Sequence, residues 1–225
     1  MRISCCVLLL LLASGCTRSG EEYVSWQADQ PLVLDGQKEA VWLKAESKRV
    51  DKITLGEFYR KDSLDLAARY RSLWTQAGIY FLVEVQDDVV FTSNELAEYN
   101  CDAVEIFLDL HNDKEEDFKV GDDFQYVFRY DYRKIFCKCS SQENVKAVLV
   151  RTGTGYNAEI FIPWKTLGVE PGQLDRVGFN VNIYDNDTRP TDDLIKSRET
   201  ALSLTKEGKH SWQWTSVFST MAFNK

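Results

Sequence analysis

The stretch YNAEIFIPWKTLGVEPGQLDRVGFNVNIYDND, Tyr156 to Asp187, decides the architecture. Its opening, YNAEIFIPW, is a short apolar run rich in β-branched and aromatic residues, and its close alternates strictly. Val177, Phe179, Val181 and Ile183 fall on one side, Gly178, Asn180, Asn182 and Tyr184 on the other, because successive strand side chains face opposite ways. Between the two runs, VEPGQLD supplies turn formers. Working outward, KITLGEFY, LAARYRSLWT, GIYFLVEVQD, AVEIFLDLH, FQYVFRYDY, KAVLVRTG and TALSLT read as further strands. SLDLAARY also fits a short helix. No internal repeat, low-complexity run or Pro/Ser-rich linker follows residue 22, so the segment reads as one domain. Many short strands without an amphipathic helix of useful length predict an antiparallel sandwich or barrel.

Three strands carry polar faces of one kind. Ala103, Glu105, Phe107 and Asp109 oppose Val104, Ile106, Leu108 and Leu110; Gln125, Val127, Arg129 and Asp131 oppose five aromatics from Phe124 to Tyr132. Asn180 and Asn182 complete the set. A merely wetted face would more often carry Lys, Glu and Thr, whereas acids, amides and an arginine suit a polar ligand. Sugars need flat rings against their apolar faces and planar polar groups for their hydroxyls. The chain has 6 Trp, 10 Tyr and 12 Phe. Tyr99 stands in a polar loop before a strand, and Trp212 and Trp214 lie in GKHSWQWTS, another polar segment. Trp26, Trp42, Trp74 and Trp164 sit among apolar residues and read as core.

Catalysis finds less support. Glu105 and Asp109 share a face but stand four residues apart, roughly 13 Å at the strand rise. Glycosidase carboxyl pairs lie roughly 5–9.5 Å apart. Asp102 should point away from Glu105, which leaves a neighbouring strand, at Glu159 for example, as the source of a second acid. No nucleophile elbow, His-Glu-x-x-His or phosphate loop occurs.

At the N-terminus, Arg2, the apolar run CVLLLLLA and the small residues before Cys16 resemble a bacterial lipoprotein signal. Residues 1–15 would be the signal peptide, and residues 16–30 the lipidated Cys16 and its tether; an ordinary cleaved signal is the alternative. Removing residues 1–15 removes one charge, Arg2, and takes the net charge from −8 to −9. Such acidity argues against nucleic acid and against direct adsorption to anionic lipid, so membrane attachment would come from the lipid alone. Cys101, Cys137 and Cys139 remain, enough for one disulfide and one free thiol.

The segments LVLDGQKEAVWLKA, SLWTQAGIYFLVEVQDD, CDAVEIFLD, the stretch quoted first and the closing Trp segment stand in the order found in family 9 carbohydrate-binding modules. From about Leu32 to Phe223 the chain resembles the modules appended to bacterial xylanases. The resemblance implies an all-β, immunoglobulin-like Greek-key antiparallel β-sandwich over residues 31–225. It also implies a slot between two aromatic rings that takes sugars, often at chain ends, and calcium that holds loops. By position the rings fall on Tyr99, where the family has Trp, and Trp212. Glu105 matches the glutamate that bonds sugar hydroxyls. The family's arginine position is Val127, with Arg129 two residues on, and Lys209 stands where an amide is expected. The expected sugar-binding set is therefore Tyr99, Glu105, Gln125, Arg129, Asn182, Trp212 and Trp214. For calcium, YDNDTRPTDD offers Asp185, Asp187, Asp192 and Asp193.

These readings predict a carbohydrate-binding lipoprotein of a bacterial outer membrane or cell envelope, periplasmic or surface-exposed. It would capture a poly- or oligosaccharide without catalysis of its own, in support of carbohydrate catabolism and beside other polysaccharide-degrading envelope proteins. A glycoside-active hydrolase on the same sandwich, and an envelope scaffold with a decayed site, are the alternatives. A haem-binding relative of the sandwich would need Met and His ligands; Met221, His111 and His210 are all that residues 16–225 offer, so no Soret band is expected.

Overall fold

The computed structural model describes residues 22–131, 135–188, 194 and 196–225. The signal, Cys16, Asp192 and Asp193 lie outside the described residues. The chain folds as an all-β sandwich, as expected. Its strands are β1 (Glu22–Gln27), β2 (Lys48–Val50), β3 (Lys52–Leu55), β4 (Leu66–Trp74), β5 (Gly78–Asp87), β6 (Ala103–Asp109) and β7 (Asp123–Arg129). There follow β8 (Ile135–Lys138), β9 (Lys146–Arg151), β10 (Gly155–Pro163), β11 (Arg176–Asp185), β12 (Thr200–Ser203) and β13 (Ser219–Asn224). The segment SLDLAARY supplies the start of β4 and not a helix. One helical turn, α1 (Trp164–Leu167), closes on Gly168, whose left-handed φ of 75° ends it.

The hydrogen-bonded order runs β8-β7-β6-β11-β13-β1-β4-β5-β10-β9, with β12 and β3 paired beyond β11 and β2 on β4. The sheet curls so that the β4-β5-β10 half lies over the β6-β7-β11 half. The apolar sides of the alternating strands meet between them: Phe81 and Val83 from one layer, Ile106, Tyr126 and Val181 from the other. Phe81 stacks on Phe179 across the gap with ring centroids 5.4 Å apart, and Tyr70 meets the same ring at 5.3 Å. Truncating a buried phenylalanine such as Phe179 costs about 3–5 kcal/mol, since it removes both transfer energy and packing.

Strand β1 departs from the expected organisation. It falls within the stretch read as tether, yet it sits centrally in the sheet, parallel to both β13 and β4. Tyr23 and Ser25 are buried on it, while Trp26, read as core, is 41% exposed. Trp42, Trp74 and Trp164 are buried as expected. Cys137 and Cys139 form the disulfide, and Cys101 is a buried free thiol.

Candidate functional site

The outer faces of β6, β7 and β11 are covered and not wetted. Every residue of β6 and β7 is buried. Ala103, Val127, Tyr184 and Ala201 close over one part, with Phe136 packed against them, and Phe107, Phe118 and Phe218 close over another. Glu105, at the centre, is 1% exposed. Register places Asn182 beside it on β11 and Val127 beside it on β7.

Three neutral donors satisfy this carboxylate. Gln125 Nε2 donates to Oε1 at 2.7 Å, Asn182 Nδ2 donates to Oε2 at 2.8 Å, and the Tyr184 hydroxyl donates to Oε2 as well. Burial pushes the Glu105 pKa up, and the Tyr184, Gln125 and Asn182 bonds pull it back. Burial raises the Tyr184 phenol well above its ordinary value, with Glu105 adding to the effect.

Above Glu105 opens a cavity of about 500 Å³. Tyr99 and Trp212 form part of its wall, with Gln125 and Tyr184 from the strands and Phe136 and Lys138 from β8. Tyr99 lies in a 3-10 turn, Glu98–Asn100, just ahead of β6, and its ring meets Phe136 edge-on at 6.0 Å. Trp212 follows the turn Gly208–His210 and is 50% exposed. Gly208 is required there because a Cβ would collide with the Ser203 hydroxyl. The adjoining Ser211 is buried and accepts from Asn180 Nδ2 at 2.7 Å; the same nitrogen also reaches Asn182 Oδ1 at 3.0 Å. A buried chain of amides therefore runs from the Trp212 turn to Glu105, and such networks fix geometry because each unmatched group would be costly.

Of the expected sugar-binding set, Tyr99, Glu105, Gln125 and Trp212 line this cavity. Asn182 lies behind Glu105 and supports it. Arg129 and Trp214 are not among the lining residues. The Arg129 guanidinium is occupied by Asp131 at 2.6 and 2.9 Å, Ser93 O at 2.8 Å and Asn94 Oδ1 at 3.1 Å. Trp214 stacks on His210, with centroids 4.4 Å apart. Two cations do reach the cavity, Lys138 and Arg198, and sequence reasoning missed both. The Arg198 guanidinium stands over the Tyr184 ring at 4.2 Å, and Nη1 donates to Tyr99 O at 3.0 Å. Tyr184 was legible, since it continues the alternation of Asn180 and Asn182; Arg198 lies outside any periodic segment. Glu159 serves elsewhere, accepting from the Asp35 and Gly36 backbone and from Trp42 Nε1 at 2.9 Å.

A second group of acids surrounds Asp185. Carboxylate oxygens of Asp87, Asp102 and Asp185 lie within 4.8 Å of one another, as do those of Asp65, Asp185 and Asp187. Both Asp185 oxygens, Asp87 Oδ2 and Asp187 Oδ1 are buried and find no donor among the described residues. Burial, reinforced by neighbouring carboxylates, pushes Asp185 up to about 9 and Asp87 to about 7. A cage of donor-free carboxylate oxygens fits a hard divalent cation such as calcium. The Asp185 and Asp187 expectation is thus joined by the donor-free Asp87 oxygen. It is joined too by Asp65 and Asp102, whose oxygens lie in reach but already accept from Lys61 and from the Phe91 and Asn186 backbone; the local acidic run disclosed none of the three.

Fold and site together define a β-sandwich with a half-open aromatic cavity over a buried polar face. The family described as carbohydrate family 9 binding domain-like matches residues 34–225, and the chain belongs to it. Among curated proteins it is 27% identical over 189 residues to exoglucanase XynX of Acetivibrio thermocellus, covering 84% of this chain and 16% of that protein. It is 26% identical over 193 residues to endo-1,4-beta-xylanase A of Thermotoga neapolitana, covering 86% and 17%. The chain therefore spans about one sixth of the length of these relatives. Two solved structures of a family 9 module from Caldicellulosiruptor kristjanssonii share the fold. The cellotriose complex has a TM-score of 0.75 at 20% identity, covering 91% of this chain and 94% of the other. The glucose complex has a TM-score of 0.74 at 20% identity, covering 90% and 95%.

Proposed function

We propose that the chain captures an oligosaccharide or a polysaccharide end in this cavity and performs no chemistry on it. The observation that carries the reading is the placement of two half-exposed rings, Tyr99 and Trp212, on one cavity with Glu105 at its base. Exposed aromatics at a cavity mouth offer flat apolar area to the C–H faces of a pyranose. Glu105 Oε1 holds one hydrogen bond, so it retains acceptor capacity for a sugar hydroxyl. Family membership and the sugars bound by the two structural neighbours support the same reading. Glu105 is the sole carboxylate among the described residues lining the cavity, where glycoside hydrolysis ordinarily uses a pair.

Isothermal titration with glucose, cello-oligosaccharides and xylo-oligosaccharides tests the proposal. Trp212→Ala should weaken binding at least about 30-fold, the roughly 2 kcal/mol typical of a buried aromatic anchor. Unchanged affinity, or no heat from any sugar, would sink it.

The same proposal includes a calcium ion held by Asp185 with Asp65, Asp87 and Asp187, which would supply positive charge where these acids repel. It also includes acylation of Cys16, supported by the lipoprotein-like residues before it. This would place the module on a bacterial envelope, where captured polysaccharide serves catabolism. Incorporation of labelled fatty acid, lost in Cys16→Ser, checks that part; an unlabelled wild-type chain would refute it.

A further inference from the structure

We infer that the cavity prefers a saccharide unit carrying a carboxylate, a hexuronic acid, over its neutral counterpart; the inference rests on the sugar-binding reading above. Two cations, Lys138 and Arg198, line the cavity together with one carboxylate, Glu105. The partners of Glu105 decide what those cations are available for. All three donors to it, Gln125, Asn182 and Tyr184, are uncharged, so its hydrogen bonding uses neither cation.

Each cation is instead tied to the backbone of an aromatic wall residue. Lys138 Nζ donates to Trp212 O at 2.8 Å, and Arg198 Nη1 donates to Tyr99 O at 3.0 Å. Neither forms an ion pair among the described residues. These bonds place one positive charge beside each ring, where a sugar between the rings would meet both. The Arg198 guanidinium centre stands 4.2 Å from the Tyr184 ring centre, and Nη1 to Tyr99 O is the one hydrogen bond it makes among the described residues, so further N–H groups remain for a carboxylate. Lys138 Nζ also stands 4.0 Å from the Phe118 ring centre and is partly desolvated, which lowers its pKa; an arriving anion would relieve that cost. Among the lining residues two cations stand against one neutrally partnered acid, in a chain of net charge −8, while Asp117 and Asp123 act on Lys138 from outside the lining. A neutral pyranose can only accept hydrogen bonds from these cations, whereas a uronate pairs with their charge as well.

Titration of the whole domain with cellobiose, with cellobiouronic acid (the same disaccharide bearing a terminal glucuronate) and with the methyl ester of that acid separates the possibilities. The free acid should bind about tenfold or more tighter than the ester at low salt, as expected for charge-assisted over neutral hydrogen bonds. The ratio should shrink at high salt, since partly exposed charges are screened. In Arg198→Gln and Lys138→Gln the acid-to-ester ratio should fall toward one. Acid and ester binding equally in the wild-type chain, or the ester binding tighter, overturns the inference and leaves sugar binding standing. No heat from any of the three overturns the inference, and no heat from the glucose, cello- and xylo-oligosaccharide panel overturns the sugar-binding reading with it. The wild-type comparison decides even where a variant fails to fold.

Discussion

Glu105 and Asp185 are both buried acids on neighbouring strands, β6 and β11, yet they are treated in opposite ways. Glu105 takes hydrogen bonds from three uncharged side chains, while neither oxygen of Asp185 meets a donor among the described residues. The difference shows how the two faces of one sheet serve two chemistries. A carboxylate already gripped by amides and a phenol is held still, and its remaining lone pair can meet a neutral hydroxyl. A carboxylate crowded by its own kind needs a cation or a proton.

The largest effect that would break this contrast is expected at Glu105. Glu105→Ala leaves Gln125, Asn182 and Tyr184 without their acceptor. At about 1–3 kcal/mol for each unmatched buried group, chemical denaturation should show a loss of about 3 kcal/mol or more. A loss under about 1 kcal/mol would mean the network contributes little to folding. Calcium comes next. At about 100-fold over its Kd the ion should add about 2.7 kcal/mol, raising Tm by roughly 5–10 °C over the EDTA-treated chain. A Tm indifferent to calcium removes the cation from the Asp185 cage.

The same cage predicts a pH trend in EDTA. Asp185 and Asp87 titrate near 9 and 7 in the folded chain, against about 3.9 when unfolded. Folded carboxyls then bind protons more tightly than unfolded ones, so stability is highest below about pH 4 for these groups. It falls as pH rises toward 7 and then 9. Thermal melts from pH 5 to 9 should show Tm declining in EDTA and flattening with calcium; a Tm that rises over this range contradicts the cage. The smallest effect is a deliberate contrast with Trp212. Trp214→Ala and Arg129→Ala should leave sugar affinity within about twofold, because neither side chain lines the cavity. Arg129→Ala should nevertheless lower Tm, since the guanidinium ties Ser93 and Asn94 to Asp131.

What was legible in the sequence follows from what is local. Alternation in Val177–Asp185 placed Val181 inward and Asn182 outward, and the polar loop around Tyr99 marked an aromatic that packing did not require. Arg129 shows where the method stops. Face alternation assigns a side of the sheet, but a long side chain is captured by whatever lies within its reach, here Asp131 two residues on. Arg198 comes from a segment with no period to read. The cage could not be seen as a whole because Asp65, Asp87 and Asp102 arrive from three distant parts of the chain. Strand β1 pairs Glu22 with Thr220, a separation no local pattern encodes.

That pairing has a mechanical consequence. Strands β1 and β13 run parallel in register from Glu22 beside Thr220 to Trp26 beside Asn224. Residue 22 therefore enters at one end of the sheet and residue 224 leaves at the other. Tension applied between those two points slides the strands along each other and strains their whole ladder at once, instead of peeling it bond by bond. A module held at its N-terminal side and pulled through its C-terminal side would behave as a stiff link.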